Sequence, residues 1–172
     1  MSRSEIHAWN ILDRKPVLAK WDEGCFTEIT LTDKPPAETR WIGPPLVDIQ
    51  VNGYSGIDFQ QDDLSEADLL HTVEQLGQAC CGQILFTLVT DNWEAMTRRL
   101  AKAKQIRDAN PSLARMIAGW HIEGPFLSVE AGYCGAHPAD KMLRPMSERI
   151  AELRDLTGDD PLLLTMAPEV NG

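Results

Sequence analysis

The feature that most limits the fold of this chain is a repeated order of elements that begins near Leu46. A short apolar run is followed by a loop and then by a segment whose apolar residues recur at helical spacing. Four such runs occupy residues 46–52, 83–90, 116–123 and 162–166. Strands buried on both faces read as continuous apolar runs, so this order predicts a parallel sheet covered by helices. We expect the four runs to be neighbouring parallel strands in sequence order.

Helix boundaries in this region carry their own signals. Residues 65–68 (Ser-Glu-Ala-Asp) match a capping box and predict that the first helix begins at Ser65. Residues 91–94 (Asp-Asn-Trp-Glu) have the same pattern and predict the start of the second helix, which Asn110-Pro111 should stop. A further helix is expected to open near Ser147, before the fourth strand.

The predicted elements favour the α/β class and, within it, part of a TIM-type (β/α)8 barrel with about four parallel strand–helix units. An open doubly wound sheet is the competing architecture, but residues 53–56 (Gly-Tyr-Ser-Gly) do not match the GxGxxG phosphate turn. Residues 1–43 read as a short β-rich extension, in which residues 26–32 alternate like one strand. Residues 44–172 then form the N-terminal half of a barrel, since a whole barrel takes about 250 residues.

The bulk composition argues against several kinds of partner. With 43% hydrophobic and 24% charged residues, the chain has the composition of an ordinary soluble domain. Its formal net charge of −10 would repel nucleic-acid phosphates and anionic lipid headgroups, so we expect neither nucleic acid nor a membrane as partner. The sequence shows no signal-peptide core and no stretch of about 20 apolar residues, which favours a cytoplasmic protein. The four scattered cysteines are expected to be free thiols.

Polar residues collect at the ends of the predicted strands, where barrels carry their chemistry. Gln50 and Asn52 end the first strand, and His121 and Glu123 end the third. Residues two apart share a face of a strand, so each pair projects together, whereas Trp120 alternates away and should pack against the helices. Glu123 could bind a divalent metal, with His121 as a second ligand or a hydrogen-bonding partner. Alternatively, both side chains satisfy backbone groups at a strand end.

Three motifs in this order resemble those of one enzyme family. Residues 119–137 (Gly-Trp-His-Ile-Glu-Gly-Pro-Phe-Leu-Ser-Val-Glu-Ala-Gly-Tyr-Cys-Gly-Ala-His) resemble the third-strand signature of N-acetylglucosamine-6-phosphate deacetylases, members of the amidohydrolase superfamily. Residues 47–53 resemble their first-strand motif, and residues 164–169 resemble their fourth. The resemblance covers about residues 44–170 and implies a metal-dependent amide hydrolase of amino-sugar metabolism. Such an enzyme releases acetate from N-acetylglucosamine 6-phosphate and leaves glucosamine 6-phosphate.

The resemblance also implies roles for individual residues. Glu123 would coordinate one divalent ion, zinc or similar, that activates water against the acetamide carbonyl. His137 would contact the sugar, although an exposed loop histidine is the alternative. Gln50 and Asn52 stand where many amidohydrolases have a His-x-His pair, which points to the subgroup that uses one metal ion. Simple hydrogen bonding is the alternative for this pair, and a supporting position behind the metal ligand is possible for Gln50, Asn52 and His121.

Other parts of the family pattern are not found in this chain. Family members bring two further metal-binding histidines and an aspartate acid/base from later strands, whereas the only histidine after Glu123 is His137. We therefore expect no catalytic acid or base within this chain, which should be incomplete and inactive alone, because catalytic zinc sites use three protein ligands. The expected ligand is a small amino-sugar phosphate. The expected macromolecular partner is a second copy in a homo-oligomer or a complementing C-terminal half.

Two alternative functions stay open at this point. Another amidohydrolase would be favoured by a first-strand His-x-His pair, which is absent. A non-catalytic half barrel could bind a sugar phosphate or assemble with a second chain, and acetate release by the isolated chain would count against it. In each case the first and fourth strands should leave apolar surface uncovered, so we expect self-association of the isolated chain.

Overall fold

The computed structural model describes residues 4–23 and 25–170. Its contacts divide the chain into two units, Met1–Pro44 and Pro45–Gly172. The strands are β1 (Ser4–Asn10), β2 (Pro16–Asp22), β3 (Cys25–Leu31), β4 (Trp41–Ile42), β5 (Leu46–Val51), β6 (Gly53–Tyr54), β7 (Ile57–Asp58), β8 (Cys81–Val89), β9 (Ile117–Glu123) and β10 (Leu162–Thr165). The helices are α1 (Glu66–Gln78), α2 (Trp93–Ala109), α3 (Pro111–Met116) and α4 (Ser147–Thr157), and a 3-10 turn lies at Ala139–Lys141.

The first unit is one four-stranded sheet in the order β3-β2-β1-β4. Strands β1, β2 and β3 run antiparallel, and β4 adds to β1 in the parallel sense. The strand predicted at residues 26–32 is therefore present as β3, with its bounds shifted by one residue. Ala8, Val17 and Ala19 are the buried hydrophobic residues of this unit within the described ranges.

The second unit is built on a four-stranded sheet in the order β10-β9-β8-β5, and every neighbouring pair is parallel. The prediction of four neighbouring parallel strands in sequence order is confirmed. Parallel strands need crossover connections, and helices α1 to α4 supply them. The chain therefore has a mixed α/β fold. Because the four strands are parallel, the carboxyl ends of β5, β8, β9 and β10 lie at one edge of the sheet.

Helix boundaries follow the predicted signals in part. Ser65 caps α1, and its side chain and that of Asp68 make the reciprocal bonds of a capping box. Asn92 precedes α2 without a side-chain cap, so the capping box predicted at residues 91–94 is wrong. The carboxylate of Asp91 instead accepts a 2.6 Å hydrogen bond from Arg99, which lies five residues beyond the capping-box position Glu94. The two oxygens of Asp91 are thus bonded to the N–H of Asn92 and to Arg99, and not to the backbone of residue 94.

The end of α2 is also more elaborate than the sequence suggested. Asn110 ends this helix as predicted, but its side-chain oxygen accepts the N–H of Ser112 at 2.9 Å and caps the short helix α3. Pro111 occupies the first turn of α3, a position that suits its missing N–H. Strand β9 consequently begins at Ile117 rather than at Met116.

Aromatic side chains form the centre of the core between the sheet and its helices. Phe86 of β8 stacks on Phe59 with ring centroids 4.2 Å apart, and Trp120 of β9 meets Phe86 edge-on at 5.7 Å. All three are fully buried. The indole Nε1 of Trp120 donates a 3.0 Å hydrogen bond to Asp160, and the guanidinium of Arg107 lies over the ring. Trp120 therefore packs against the helical layer, as its alternation predicted.

The side chain of Gln60 supplies the hydrogen-bond partners at the end of strand β8. Gln60 donates to the carbonyl of Val89 at 3.0 Å and accepts the N–H of Val89 at 3.3 Å. Strand β5 pairs with β8 only as far as Phe86, so Gln60 supplies the partner that a longer strand would have supplied. These bonds complete the hydrogen bonding of the backbone immediately before Thr90.

Strands β5 and β10 leave apolar side chains uncovered, as the sequence predicted. Val47 and Ile49 of β5 are 60% and 58% exposed, and Leu163 of β10 is 37% exposed. Self-association of the chain remains a prediction. None of the helices in the described ranges combines the length and apolar character needed to cross a bilayer.

Candidate functional site

Glu123 is the last residue of β9 and lies level with Val89 of β8. Its carboxylate oxygen Oε2 accepts a 2.7 Å hydrogen bond from the side-chain amide of Gln50. Gln50 reaches it from β5, where the pairing with β8 shifts register between Asp48 and Val51. Such irregularities re-aim side chains near functional sites. The structure thus brings together two of the predicted site residues, which are far apart in sequence.

His137 approaches the same carboxylate from the loop that follows β9. Its Nε2 lies 3.5 Å from Oε1 of Glu123. Its Nδ1 lies 2.8 Å from the hydroxyl oxygen of Thr90, the residue directly after β8. The His137 and Glu123 side chains are largely withdrawn from solvent, with 17% and 20% of their surfaces exposed. Glu123 therefore has Gln50 at one oxygen and His137 near the other.

His121 shares the strand face of Glu123 but is engaged below it, inside the sheet. Its Nδ1 lies 3.3 Å from the hydroxyl of Thr87 on β8, and its Nε2 lies 2.8 Å from the hydroxyl of Thr165 on β10. Burial lowers the pKa of His121, although the charge of Glu123 and a hydrogen bond with the Ile49 backbone act in the opposite direction. Both ring nitrogens are thus occupied by neighbouring strands, which makes His121 a link between them.

Asn52 lies one residue beyond β5 and has an exposed side chain. Its backbone carbonyl accepts the N–H of Phe59 at 3.1 Å, which turns the chain away from the sheet. Among the described residues, the carboxylate of Glu123 is hydrogen-bonded to Gln50 and not to Asn52. Asn52 therefore does not share the contact that Gln50 makes with Glu123.

The residues around Glu123 meet only part of what a catalytic zinc ion requires. Glu123 offers one carboxylate oxygen and His137 one ring nitrogen, both suitable ligand types. Within residues 4–23 and 25–170, no group of three or more His, Cys, Asp or Glu side chains is arranged to hold a metal ion. Since such sites use three protein ligands, the described residues do not by themselves fit a catalytic zinc site.

Comparison with known proteins identifies relatives for most of this chain. No protein-family model matches it. The N-acetylglucosamine-6-phosphate deacetylase of Danio rerio is 31% identical over 139 residues, which cover 77% of this chain and 33% of the relative. The enzyme of the same name from Caenorhabditis elegans is 26% identical over 178 residues, covering 96% of this chain and 40% of the relative. The chain belongs to the N-acetylglucosamine-6-phosphate deacetylase family.

Solved deacetylase structures have the same fold over the matched part. A mutant N-acetyl-D-glucosamine-6-phosphate deacetylase from Mycobacterium smegmatis, in complex with N-acetyl-D-glucosamine-6-phosphate, is similar with a TM-score of 0.75 and 24% identity. That match covers all of this chain and 45% of the mycobacterial chain. The deacetylase from Thermotoga maritima gives a TM-score of 0.76 at 24% identity, covering 95% of this chain and 42% of that one. This deacetylase-family chain thus spans less than half the length of the relatives it matches.

Three hydroxyl groups at the site of this deacetylase-family chain escaped the sequence analysis. Thr87 and Thr165 hold His121, and Thr90 holds His137. Each threonine lies on or directly after a predicted strand, where threonine is common for its strand propensity alone. The sequence therefore gave no reason to single them out. The predicted strand order places Thr87 and Thr165 on the two neighbours of the third strand, but it does not say which residue of that strand each one meets.

Proposed function

We propose that this chain contributes the Glu123 side of a metal-dependent N-acetylglucosamine-6-phosphate deacetylase site. The observation that carries the proposal is the convergence of three elements on one carboxylate. Gln50 from β5 and His137 from the loop after β9 both approach Glu123 at the end of its strand. The family relationship and the position at the carboxyl edge of a parallel sheet support the same conclusion.

The contacts suggest different roles for the two carboxylate oxygens of Glu123. The amide of Gln50 donates to Oε2, while Oε1, which has Nε2 of His137 3.5 Å away, would bind the ligand. A bound divalent ion, zinc or similar, would polarise the acetamide carbonyl and lower the pKa of a bound water. Glu123 would be a ligand of that ion, and His137 would orient the sugar beside it. The further ligands and the acid/base would come from outside the described residues.

We also propose that the parallel sheet is part of a (β/α)8 barrel. The parallel strand order, the helical crossovers and the uncovered side chains of β5 and β10 support this architecture. The partner would be a polypeptide segment that supplies further strands to both edges. The substrate would be an amino-sugar phosphate, and the expected compartment is the cytoplasm, where the four free cysteines would stay reduced.

The first experiment tests Glu123 in a complete site. Residues 44–170 would replace the matching segment of the Danio rerio deacetylase, and zinc content and acetate release from N-acetylglucosamine 6-phosphate would be measured. Glu123→Gln keeps the shape of the side chain but removes the charged oxygen. We expect turnover to fall by more than about 100-fold, since losing even an outer partner of a metal ligand costs about 10- to 100-fold. Zinc content should fall with it.

The matched control is Glu130→Gln, which removes an exposed carboxylate from the same loop region. This variant should retain both zinc and turnover. If Glu123→Gln also retained both, Glu123 would be a strand-end carboxylate with a purely structural role. The chain alone should release no acetate, because its described residues supply only two ligands near the site.

A further inference from the structure

Strand β5 contains one residue more than its partner β8 over the stretch that carries Gln50. Asp48 is level with Ile84, and Val51 is level with Phe86. Three steps along β5 therefore match two steps along β8. An extra residue of this kind is a β-bulge, which interrupts the ladder and changes the direction of the side chains beside it. The bulge lies between Asp48 and Val51 and includes Gln50.

The bulge decides which face of the sheet Gln50 occupies. Side chains alternate between the two faces of a strand, and a shift of one residue exchanges them. If β5 continued from Asp48 without the extra residue, Gln50 would be level with Phe86, which is fully buried in the apolar core. Val51 takes that place instead and is 5% exposed. Gln50 is thereby left on the opposite face, where its amide donates to Oε2 of Glu123 at 2.7 Å.

Asp48 supplies a hydrogen bond that spans this bulge. Its carboxylate oxygen Oδ1 accepts the backbone N–H of Gln50 at 2.9 Å. A backbone N–H is always the donor, so the carboxylate oxygen is the acceptor and the contact has a single proton arrangement. We propose that Asp48 is a positioning residue, which holds the bulge of β5 and thereby directs the amide of Gln50 to the carboxylate of Glu123.

Asp48 and Glu123 are thus linked through the two ends of one glutamine. Asp48 holds the backbone N–H of Gln50, and the side-chain amide of Gln50 donates to Glu123. Asp48 itself has an exposed side chain, so its substitution removes this hydrogen bond without leaving a cavity in the core. The bulge and its contacts are a property of this chain alone. Their importance for catalysis rests on the proposed function, because it requires Glu123 to bind the metal ion.

NMR of the full chain tests this role without metal or substrate. Hydrogen exchange at the backbone amide of Gln50 reports on its bond to Asp48, and the resonances of its side-chain NH2 group report on its bond to Glu123. In Asp48→Ala, we expect exchange at the Gln50 amide to become about 5- to 10-fold faster, since one hydrogen bond is lost. The side-chain resonances should move toward those of a free glutamine. Asp48→Asn keeps an acceptor oxygen in the same place and should preserve both signals.

Asp13→Ala is the matched control, because Asp13 accepts the backbone N–H of Lys15 in the same way, at 3.1 Å, in the other unit of the chain. It should leave both signals of Gln50 unchanged. Unchanged side-chain resonances of Gln50 in Asp48→Ala would overturn the proposal, and so would an Asp48→Asn variant that behaves like Asp48→Ala. If Asp48→Ala does not fold, Asp48→Glu keeps the charge but moves the acceptor by one methylene, and it should change both signals in the same direction.

Turnover separates this role from a general effect on stability. In the hybrid with the Danio rerio deacetylase, Asp48→Ala and Gln50→Leu should each lower turnover about 10-fold, the lower end of the cost of losing an outer partner of a metal ligand. Because Asp48 acts through Gln50, the double variant should lose no more than Gln50→Leu alone. Losses that multiply would overturn the positioning role. If the unsubstituted hybrid released no acetate, the proposed function would be at fault, and the NMR comparison would still decide the role of Asp48.

Discussion

The two faces of the parallel sheet differ although they are built from alternate residues of the same strands. On the face under the helices, Phe86 and Trp120 are fully buried and pack against each other. On the opposite face, the neighbouring residues Thr87 and His121 are also buried but are hydrogen-bonded to each other. Beyond them, Val47 of the same sheet is exposed. One face is thus an apolar core, and the other is a polar network within an open apolar border.

This difference separates the residues that stabilise the fold from those that form the site. Area removed from water and close packing act on the helical face, whose buried side chains are mainly apolar. The site face gains less from burial, and its polar groups are held in one geometry by their partners. Substitutions on the two faces should therefore have different consequences, which three measurements can test.

Phe86→Ala should have the largest effect on stability. Phe86 is fully buried between Phe59 and Trp120, so its removal leaves a cavity that the stacked rings cannot fill. We expect the free energy of unfolding to fall by about 3–5 kcal/mol, as measured by urea denaturation followed through tryptophan fluorescence. Phe86→Leu, which leaves a smaller cavity, should cost less. A loss below about 1 kcal/mol for Phe86→Ala would show that the helical face is not the stabilising one.

Asp160→Asn should have the second-largest effect, through the charges that hold Trp120. Burial alone would raise the pKa of Asp160, but hydrogen bonds from Trp120 and Lys104 and the charge of Arg107 outweigh it and lower the pKa. The carboxylate accepts bonds from all three side chains at 2.8–3.1 Å. Replacing it with a neutral amide should cost about 1.5–3 kcal/mol at neutral pH.

The pH dependence gives this second prediction a direction. Because the pKa of Asp160 is lower in the folded chain than in the unfolded one, its stabilisation is present above the ordinary aspartate pKa. It should be lost as the pH falls below about 4, toward the lowered pKa. Unfolding curves of the wild type and Asp160→Asn should therefore converge on acidification. A constant difference from neutral to acidic pH would contradict this assignment.

Val47→Ala should have the smallest effect on stability. Val47 is on β5 and 60% of it is exposed, so truncation removes little buried surface and should change the free energy of unfolding by less than about 0.5 kcal/mol. The substitution should instead weaken self-association of the chain, because less apolar surface is presented at the edge of the sheet. Light scattering of the wild type and Val47→Ala at matched concentrations would compare the two, with Phe86→Leu as the buried counterpart. Stronger association of Val47→Ala would reject the open-border description.

The part of this fold that follows from sequence is the part with a periodic signal. The four apolar runs gave the strands and their order, and the capping box gave the start of α1 at Ser65. The capping box predicted at the start of α2 was wrong because Asp91 has a charged partner, Arg99, that lies outside the capping pattern. The helix α3 was missed because six residues carry too little periodicity to stand out from a loop.

The residues of the candidate site could be predicted from the sequence, but their arrangement could not. The identities of Glu123, Gln50 and His137 came from the strand ends and the family resemblance, and the structure brings these three side chains together. Their roles remain proposals. The register shift in β5 that aims Gln50, and the loop path that brings His137 to Thr90, depend on contacts distant in sequence. A pattern of local residues does not contain that information.

The two hydrogen bonds between Gln60 and Val89 allow one end of β8 to open independently of the rest of the strand. A backbone partner is lost only when two strands separate, whereas a side-chain amide can leave by rotating about its own bonds. Solvent deuterium should therefore reach the amide of Val89 through a local event, long before it reaches the amides in the middle of the strand. The peptide group next to Thr90 can thus open and close many times during the lifetime of one folded molecule.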